Sequence, residues 1–291
     1  MKNIYLLGSL NIDLTIRAPY MPESGETLKG SDFMMTAGGK GANQAYAAAA
    51  LGGNVKMAGC VGKDAFGDLL INSLCRVDTS YVRRTDALTG AALITVIDGD
   101  NRILLHEGAN SETGVLDAEN LLSHAAADDI FMTQCETPID GVIKALKLAK
   151  SRGLFTMFNP APARSEARGA VIYADLITPN RKELKLLSGK DDLEEGIVEL
   201  LRLGAGAVLV TLGEKGSLYV SARERIEVPC CNMGAVVDTT GAGDTYCGAL
   251  AAELARGVKI ADAMSFASRA AGITVTRRGA MVSIPTREEV L

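Results

Sequence analysis

Short apolar runs alternate with longer segments of helical period along most of this chain, and that alternation constrains its fold more than any other feature. Runs at 3–7, 55–60, 130–133, 155–158, 176–177 and 207–212 are brief and almost uniformly apolar. Strands covered on both faces by crossover helices read this way. Segments 42–51, 68–74, 139–152, 181–187, 193–202, 242–256 and 261–276 carry the helical period. The pattern predicts an α/β fold: a doubly wound, mostly parallel sheet with helices on both faces. Two stretches, 12–35 and 81–106, break the rhythm and read as short strands joined by turns such as Glu23-Ser24-Gly25 and Asp98-Gly99-Asp100-Asn101. They are expected to pair into a small β-sheet lid over the carboxyl edge of the main sheet, where ligands of such folds bind. No repeat, low-complexity tract or linker interrupts the chain, so 1–291 reads as one domain carrying that lid.

Composition narrows the partners. Thirty Lys and Arg against 35 Asp and Glu leave a net charge of −5, without the positive field that nucleic acid or an anionic membrane would require. Trp is absent and aromatics are 4%, so the core must be built from small aliphatic residues and no base-stacking surface is expected. The cysteines Cys60, Cys75, Cys135, Cys230, Cys231 and Cys247 have no CxxC spacing, and His106 and His124 stand apart from them. A structural zinc site is not expected; most of these cysteines read as small buried residues in a reducing compartment. The apolar start at 1–10 is too short for a bilayer and is followed by Asp13. A cytoplasmic protein with no nucleic-acid or membrane partner is expected.

Two glycine-rich segments carry the chemistry. In Asp238-Thr239-Thr240-Gly241-Ala242-Gly243-Asp244, small residues open an Ala-rich helix. Successive backbone N–H groups at the positive end of a helix dipole cradle a phosphoryl group gaining charge. Asp244 beside them can accept a proton from an attacking hydroxyl, or can serve only as a favourable first-turn charge. In Ala37-Gly38-Gly39-Lys40-Gly41-Ala42-Asn43-Gln44, glycines let backbone approach a ligand while Lys40 and Asn43 offer donors. Neither segment has the spacing of a phosphate-binding P-loop or of a dinucleotide fingerprint. After the first strand, Asn11 and Asp13 stand two residues apart on one face of an extended segment, an acceptor and donor pair suited to neighbouring hydroxyls of a polyol. A turn-capping role is the alternative for both.

The motifs at 38–43 and 238–244 resemble the two signatures of the ribokinase (PfkB-type) carbohydrate kinases. The connecting segments at 89–90, 108–110, 159–163, 178–180 and 276–280 are similar too, so the resemblance spans essentially the whole chain. Among branches of the family, Asn11, Asp13, Gly39, Lys40, Asn43, Glu136 and Asp244 match the sugar-contacting positions of the ribokinases. The resemblance implies that Asp244 is the general base and that Gly241, Ala242 and Gly243 form an anion hole. It implies that Asn180 and Glu183 organise magnesium and the ATP phosphates, largely through water. Thr211, Gly213 and Gly216 would lie beneath the nucleotide, with Ser268 against the adenine. Asp238, Thr240, Thr274, Arg277, Gly279 and Ser283 match positions that hold potassium, mostly by backbone carbonyls.

The implied activity is ATP-dependent phosphorylation of the 5-hydroxyl of D-ribose, in a homodimer formed through the lid. A kinase of this fold acting on another sugar or a nucleoside (deoxyribose, fructose, adenosine, pseudouridine) is the nearest alternative, and an idle sugar-binding regulator is another. Three features depart from the family pattern. The segment 74–78 looks shortened, Ser268 stands where Asn or His is common, and the chain ends at Leu291, where many relatives continue. Cys247, on the helix of Asp244, is expected in the core rather than as a nucleophile.

Overall fold

The computed structural model describes residues 1–98 and 100–291; Gly99, in one of the turns anticipated above, lies outside the described residues. In chain order the elements are β1 (Asn3–Leu7), β2 (Asn11–Arg17), β3 (Ser31–Gly38), α1 (Lys40–Ala50), β4 (Asn54–Gly62), α2 (Ala65–Ser73), β5 (Asp78–Thr85), β6 (Gly90–Ile97), β7 (Asp100–His106), α3 (Val115–Leu121), β8 (Ile130–Thr133), α4 (Ile139–Ser151), β9 (Phe155–Phe158), β10 (Leu176–Ile177), α5 (Arg181–Ser188), α6 (Leu193–Arg202), β11 (Ala207–Thr211), β12 (Ser217–Ser221), β13 (Arg225–Val228), α7 (Ala242–Ala255), α8 (Ile260–Thr274) and α9 (Arg287–Val290).

The main sheet has nine strands in the order β13-β12-β11-β10-β9-β8-β1-β4-β5. Pairing is parallel from β5 to β11 and antiparallel only at the β12–β13 edge. Side-chain alternation along β1 divides the core between the two faces. Ile4 and Leu6 join the cluster that contains α1, α7 and α8, and Tyr5 and Leu7 join the one that contains α4, α5 and α6. Strand order reverses at β1, because the chain builds outward to β4 and β5 and then returns to build β8 to β11 on the other side. Such a reversal opens a crevice at the carboxyl ends of the strands.

A second sheet has the order β3-β2-β6-β7. The expected second segment of this sheet, 81–106, is corrected at its start. Residues 81–85 belong to β5, which pairs in parallel with β4 at the edge of the main sheet, and the small sheet resumes only at Gly90. The local pattern could not distinguish the two placements, since an edge strand is half-exposed in either sheet. The hairpin β12–β13 is also absent from the sequence reading; its strands of five and four residues, mostly half-exposed or exposed, carry too short a pattern for a clear strand signal. Burial of the cysteines is split: Cys60, Cys135 and Cys247 are buried, Cys75 and Cys230 exposed, and Cys231 intermediate. The expectation that most are buried therefore holds for only half of them, because Cys75 follows the end of α2 and the 230–231 pair lies in the loop after β13.

Helix α7 lies against α1 with almost no side chain between them. A side chain at Gly248 would bring its Cβ within 2.6 Å of Ala47 Cβ and 2.7 Å of the Gln44 carbonyl oxygen. That approach explains why both helices are rich in Ala and Gly. It also brings Asp244, one turn before Gly248, beside Asn43 and Gln44.

Candidate active site

Loops after β1, β8, β9, β10 and β11 converge at the crevice and meet the N-termini of α1 and α7. Each of those helices opens on a glycine with positive φ: Gly39 at 87° and Gly241 at 78°. A Cβ at Gly39 would stand 2.7 Å from the Asn11 backbone nitrogen, so this position requires glycine for space as well as for its dihedral.

Asp244 is buried, and its carboxylate is held by amides from α1. Asn43 Nδ2 donates to Oδ2 at 3.2 Å and Gln44 Nε2 donates to Oδ1 at 3.0 Å. Glu136, just beyond β8, gathers the sugar-side residues. Its Oε2 accepts from Ser9 Oγ at 2.6 Å, from the Lys40 backbone N–H at 3.0 Å and from Asn11 Nδ2 at 3.4 Å. Asn110 completes the support: its Nδ2 donates to Asn11 Oδ1 at 2.7 Å while its Oδ1 accepts the Leu10 N–H at 2.9 Å. On β2, the Asp13 carboxylate packs so closely on Gly38 that any Cβ there would lie 2.2 Å from Oδ2.

The charges are strongly coupled. Burial, reinforced by Glu136 and Asp244 and opposed by Lys40, pushes the Asp13 carboxyl up to about 7. The Asp244 carboxylate, with help from Glu136 and Glu183, holds the buried Lys40 ammonium firmly protonated against its own desolvation. Glu183 is raised above the usual carboxylate range, chiefly by burial. It forms a capping box with Asn180, since Asn180 N and Nδ2 each donate to a Glu183 oxygen at 2.8 Å and Asn180 Oδ1 accepts the Glu183 N–H at 2.9 Å.

Three adjoining cavities share Thr239 in their walls. One of about 220 Å³ is lined by Lys40, Asn180, Glu183, Gly241, Gly243 and Asp244, among others. A second, of about 300 Å³, is bounded by Thr211, Gly213, Gly216, Tyr246 and Ser268. The third, of about 370 Å³, opens beneath the small sheet between Asp13 and Thr36 on one side and Asp238, Thr240 and Gly279 on the other. The first is polar and ringed by an ammonium and helix-start amides, which suits phosphates; the second suits a nucleoside; the third is roofed by strands and reaches Asp13.

Most sequence-predicted site residues meet here. Lys40, expected among the sugar contacts, lines the phosphate-suited cavity, its backbone N–H donates to Glu136 at 3.0 Å, and its ammonium acts on Asp13 as well as on Asp244. Ala242, expected in the anion hole, lines the nucleoside-sized cavity, and its N–H donates to the Thr239 carbonyl at 3.3 Å; Gly241 lines the phosphate-suited cavity and Gly243 lines both. Ser268 lies on the cavity wall, yet its hydroxyl is engaged by the loop after β13, accepting from Cys231 N and donating to the Pro229 carbonyl, both at 3.0 Å.

Asp238 ties three segments together. Its Oδ1 accepts from Thr240 N at 2.9 Å and Thr240 Oγ1 at 2.7 Å, and its Oδ2 accepts from Gly279 N at 2.9 Å. Burial opposes its ionisation, and these hydrogen bonds together outweigh it, so the carboxyl sits below its usual range. The Val237 and Asp238 N–H groups both donate to the Val275 carbonyl, at 2.8 and 3.2 Å. Thr274 Oγ1 donates to Thr245 Oγ1 at 3.0 Å, Ser283 Oγ donates to the Ala280 carbonyl at 2.7 Å, and Arg277 pairs with Glu289. Those three side chains are therefore committed elsewhere.

Sequence reasoning assigned no role to Ser9, Gln44, Gln134 or Asn159. Gln44 stood inside the quoted motif at 37–44 and Asn159 in the segment 159–163, and Ser9 lies two residues before Asn11, so their neighbourhood was the available signal. Gln134 carried none beyond its place at the end of a buried strand.

The comparisons with known proteins agree with this geometry. A ribokinase from Haemophilus influenzae is 36% identical, covering 100% of this chain and 97% of its own length. A deoxyribokinase from Salmonella typhimurium is 33% identical over 99% of this chain and 97% of its own. The structure of an Arabidopsis thaliana ribokinase complexed with ribose and ATP superposes with a TM-score of 0.91 at 31% identity, covering 99% and 97% of the two chains. The pfkB family carbohydrate kinase profile matches residues 1–287. A carboxylate poised between a hydroxyl-binding cluster and a helix-start phosphate cradle is what a sugar phosphotransferase requires, and on that site and those matches this chain belongs to the pfkB family of carbohydrate kinases.

Proposed function

We propose that this protein transfers the γ-phosphoryl group of ATP to the 5-hydroxyl of D-ribose. The observation that carries the reading is the position of Asp244, with the Asn11–Asp13–Glu136 cluster on one side and Lys40, Asn180, Glu183 and Gly243 on the other. Asp13, Asn11 and Glu136 hold the furanose hydroxyls. Asp244 takes the proton as the 5-oxygen bonds to the γ-phosphorus and the bond to the bridging oxygen breaks, releasing ADP. In a loose transition state positioning and charge stabilisation outweigh basicity, and the Lys40 ammonium with the Gly241 and Gly243 amides bears much of that load. Both Glu183 oxygens already accept from Asn180, which suits a hold on magnesium through water. When bound, magnesium supplies neutralisation of the phosphate oxygens.

The donor set at Asp238 fits a monovalent cation, potassium, that orders the loop before α7. One hard carboxylate and the Thr240 hydroxyl stand where the 237–240, 274–275 and 279 segments meet, with the carbonyls of those segments as further ligands. The small sheet also supports a homodimer: Met35, Leu93 and Leu104 line up in register with Leu14 on its outer face and are 45%, 50% and 70% exposed.

A coupled assay of ADP release with ribose, deoxyribose, fructose, adenosine and pseudouridine tests the substrate. Ribose should give the highest kcat/KM; a higher value for deoxyribose would move the assignment toward the deoxyribokinase relative, and ATP turnover unaffected by any acceptor would end the kinase reading. Light scattering of the purified protein and of Leu104→Glu tests the dimer.

A further inference from the structure

Behind Asp244 lies a chain of buried amides whose orientations are dictated one by one. Asn159 Nδ2 donates to the Thr178 backbone carbonyl at 2.7 Å, and a carbonyl can only accept. Asn159 Oδ1 must therefore face Gln44, which donates to it through Nε2 at 3.1 Å. The same Nε2 donates to Asp244 Oδ1 at 3.0 Å, so both hydrogens of the Gln44 amide are committed and its oxygen must point away. That oxygen accepts from Gln134 Nε2 at 2.7 Å. Gln44 and Gln134 are 0% and 1% exposed, so water cannot substitute for either partner. Side-chain amides are ordinarily ambiguous by a half-turn; here a backbone carbonyl at one end removes the ambiguity along the whole series.

We infer that Gln44 is a positioning residue that locks the orientation of the Asp244 carboxylate, with Asn159 and Gln134 fixing which way the Gln44 amide points. The inference rests on the reading of Asp244 as the base. A carboxylate with one oxygen held by Gln44 and the other by Asn43 cannot rotate about its Cβ–Cγ bond without losing both donors. Other charged or titratable groups face it: Asp13 from β2, Lys40 from α1, Glu183 from α5 and Cys247 from its own helix. Lys40 is the cation among these, and losing an amide donor leaves the Asp244 carboxylate free to turn away from the position in which the two amides hold it.

The test is the pH dependence of kcat with ribose and ATP in Gln44→Leu, Gln44→Glu and Gln134→Leu, with Asp244→Asn as the control. Gln44→Leu should lower kcat about tenfold or more, as expected for a lost hydrogen bond to a charged group, while ribose KM changes by less than about threefold. Gln44→Glu should recover toward the parent as pH falls, because only the protonated acid can donate to Asp244; a merely structural role predicts no such recovery. Gln134→Leu, which releases the Gln44 amide oxygen and leaves both donors to Asp244 in the chain, should reproduce the Gln44→Leu loss of kcat in weaker form, and serves if Gln44→Leu fails to fold. Parent-like kcat and pH profiles in the Gln44 and Gln134 variants, with Asp244→Asn inactive, would overturn the relay and leave the base intact. An active Asp244→Asn would overturn the base itself.

Discussion

Two aspartates bracket the loop before α7 and are held in opposite ways. Asp238 accepts from its own loop, two residues on, and from one neighbouring loop, all but one of these donors being backbone N–H groups. Asp244 accepts only from side-chain amides about 200 residues earlier in the chain. The first arrangement survives wherever the loop itself forms; the second exists only when α1 and α7 are packed together. A carboxylate meant to hold a loop needs little else, whereas one meant to remove a proton must be aimed by groups that do not move with it.

The contrast is broken most severely at Asp244. Asp244→Asn should keep ribose binding within a few-fold while kcat falls by about 10²-fold or more, the usual contribution of a positioned base, as read by steady-state kinetics beside calorimetric titration. Substitution on the sugar side is expected to act on affinity instead. Asp13→Ala should weaken ribose binding by roughly ten- to a hundredfold, matching the loss of a charged acceptor, with a smaller change in kcat. Calorimetry that returned unchanged affinity would reduce Asp13 to a polar residue within β2 that takes no part in sugar binding.

Asp238 should respond more gently. In Tris buffer free of alkali-metal ions, potassium chloride is expected to raise kcat above matched sodium chloride, and Asp238→Asn to remove that difference while lowering kcat about tenfold. Equal potassium and sodium curves for the parent would eliminate the cation site and leave Asp238 as a hydrogen-bonded loop tie.

The smallest effect is on stability. The folded Asp13 carboxyl is raised to about 7, so the folded state binds this proton more tightly than the unfolded chain does. Its stabilising contribution is present below the ordinary carboxylate range and is lost as pH climbs through 7. Asp13→Asn should therefore raise the thermal midpoint by a few degrees at pH 8 and by little at pH 4, measured by calorimetry without ligand. A difference independent of pH would show that like charge at this site is not what burdens the free protein.

Much of this was legible residue by residue. The strand at 130–133 and the helix at 193–202 have the observed bounds, because each is set by its own apolar run or period and by a local cap such as Asp192. Gly39 and Gly241 stood out because each belongs to a small-residue segment that opens an Ala-rich helix, and each adopts a positive φ there. Residues 81–85 were not legible, because whether a half-exposed strand joins β4 or the small sheet depends on which partner arrives.

Sequence alone determined most of where the chain extends and coils and which two glycine-rich segments open helices at the site, since those are short-range consequences of side-chain shape and backbone freedom. Only the tertiary structure decided that Lys40 shares a cavity wall with Asn180 and Glu183, that burial with Glu136 and Asp244 raises the Asp13 carboxyl, and that Gln44 and Asn43 together hold the Asp244 carboxylate. Each of those depends on the separation of groups far apart in the chain, and hydrogen bonds lose their hold within a fraction of an ångström while the packing that sets such distances is a property of whole helices.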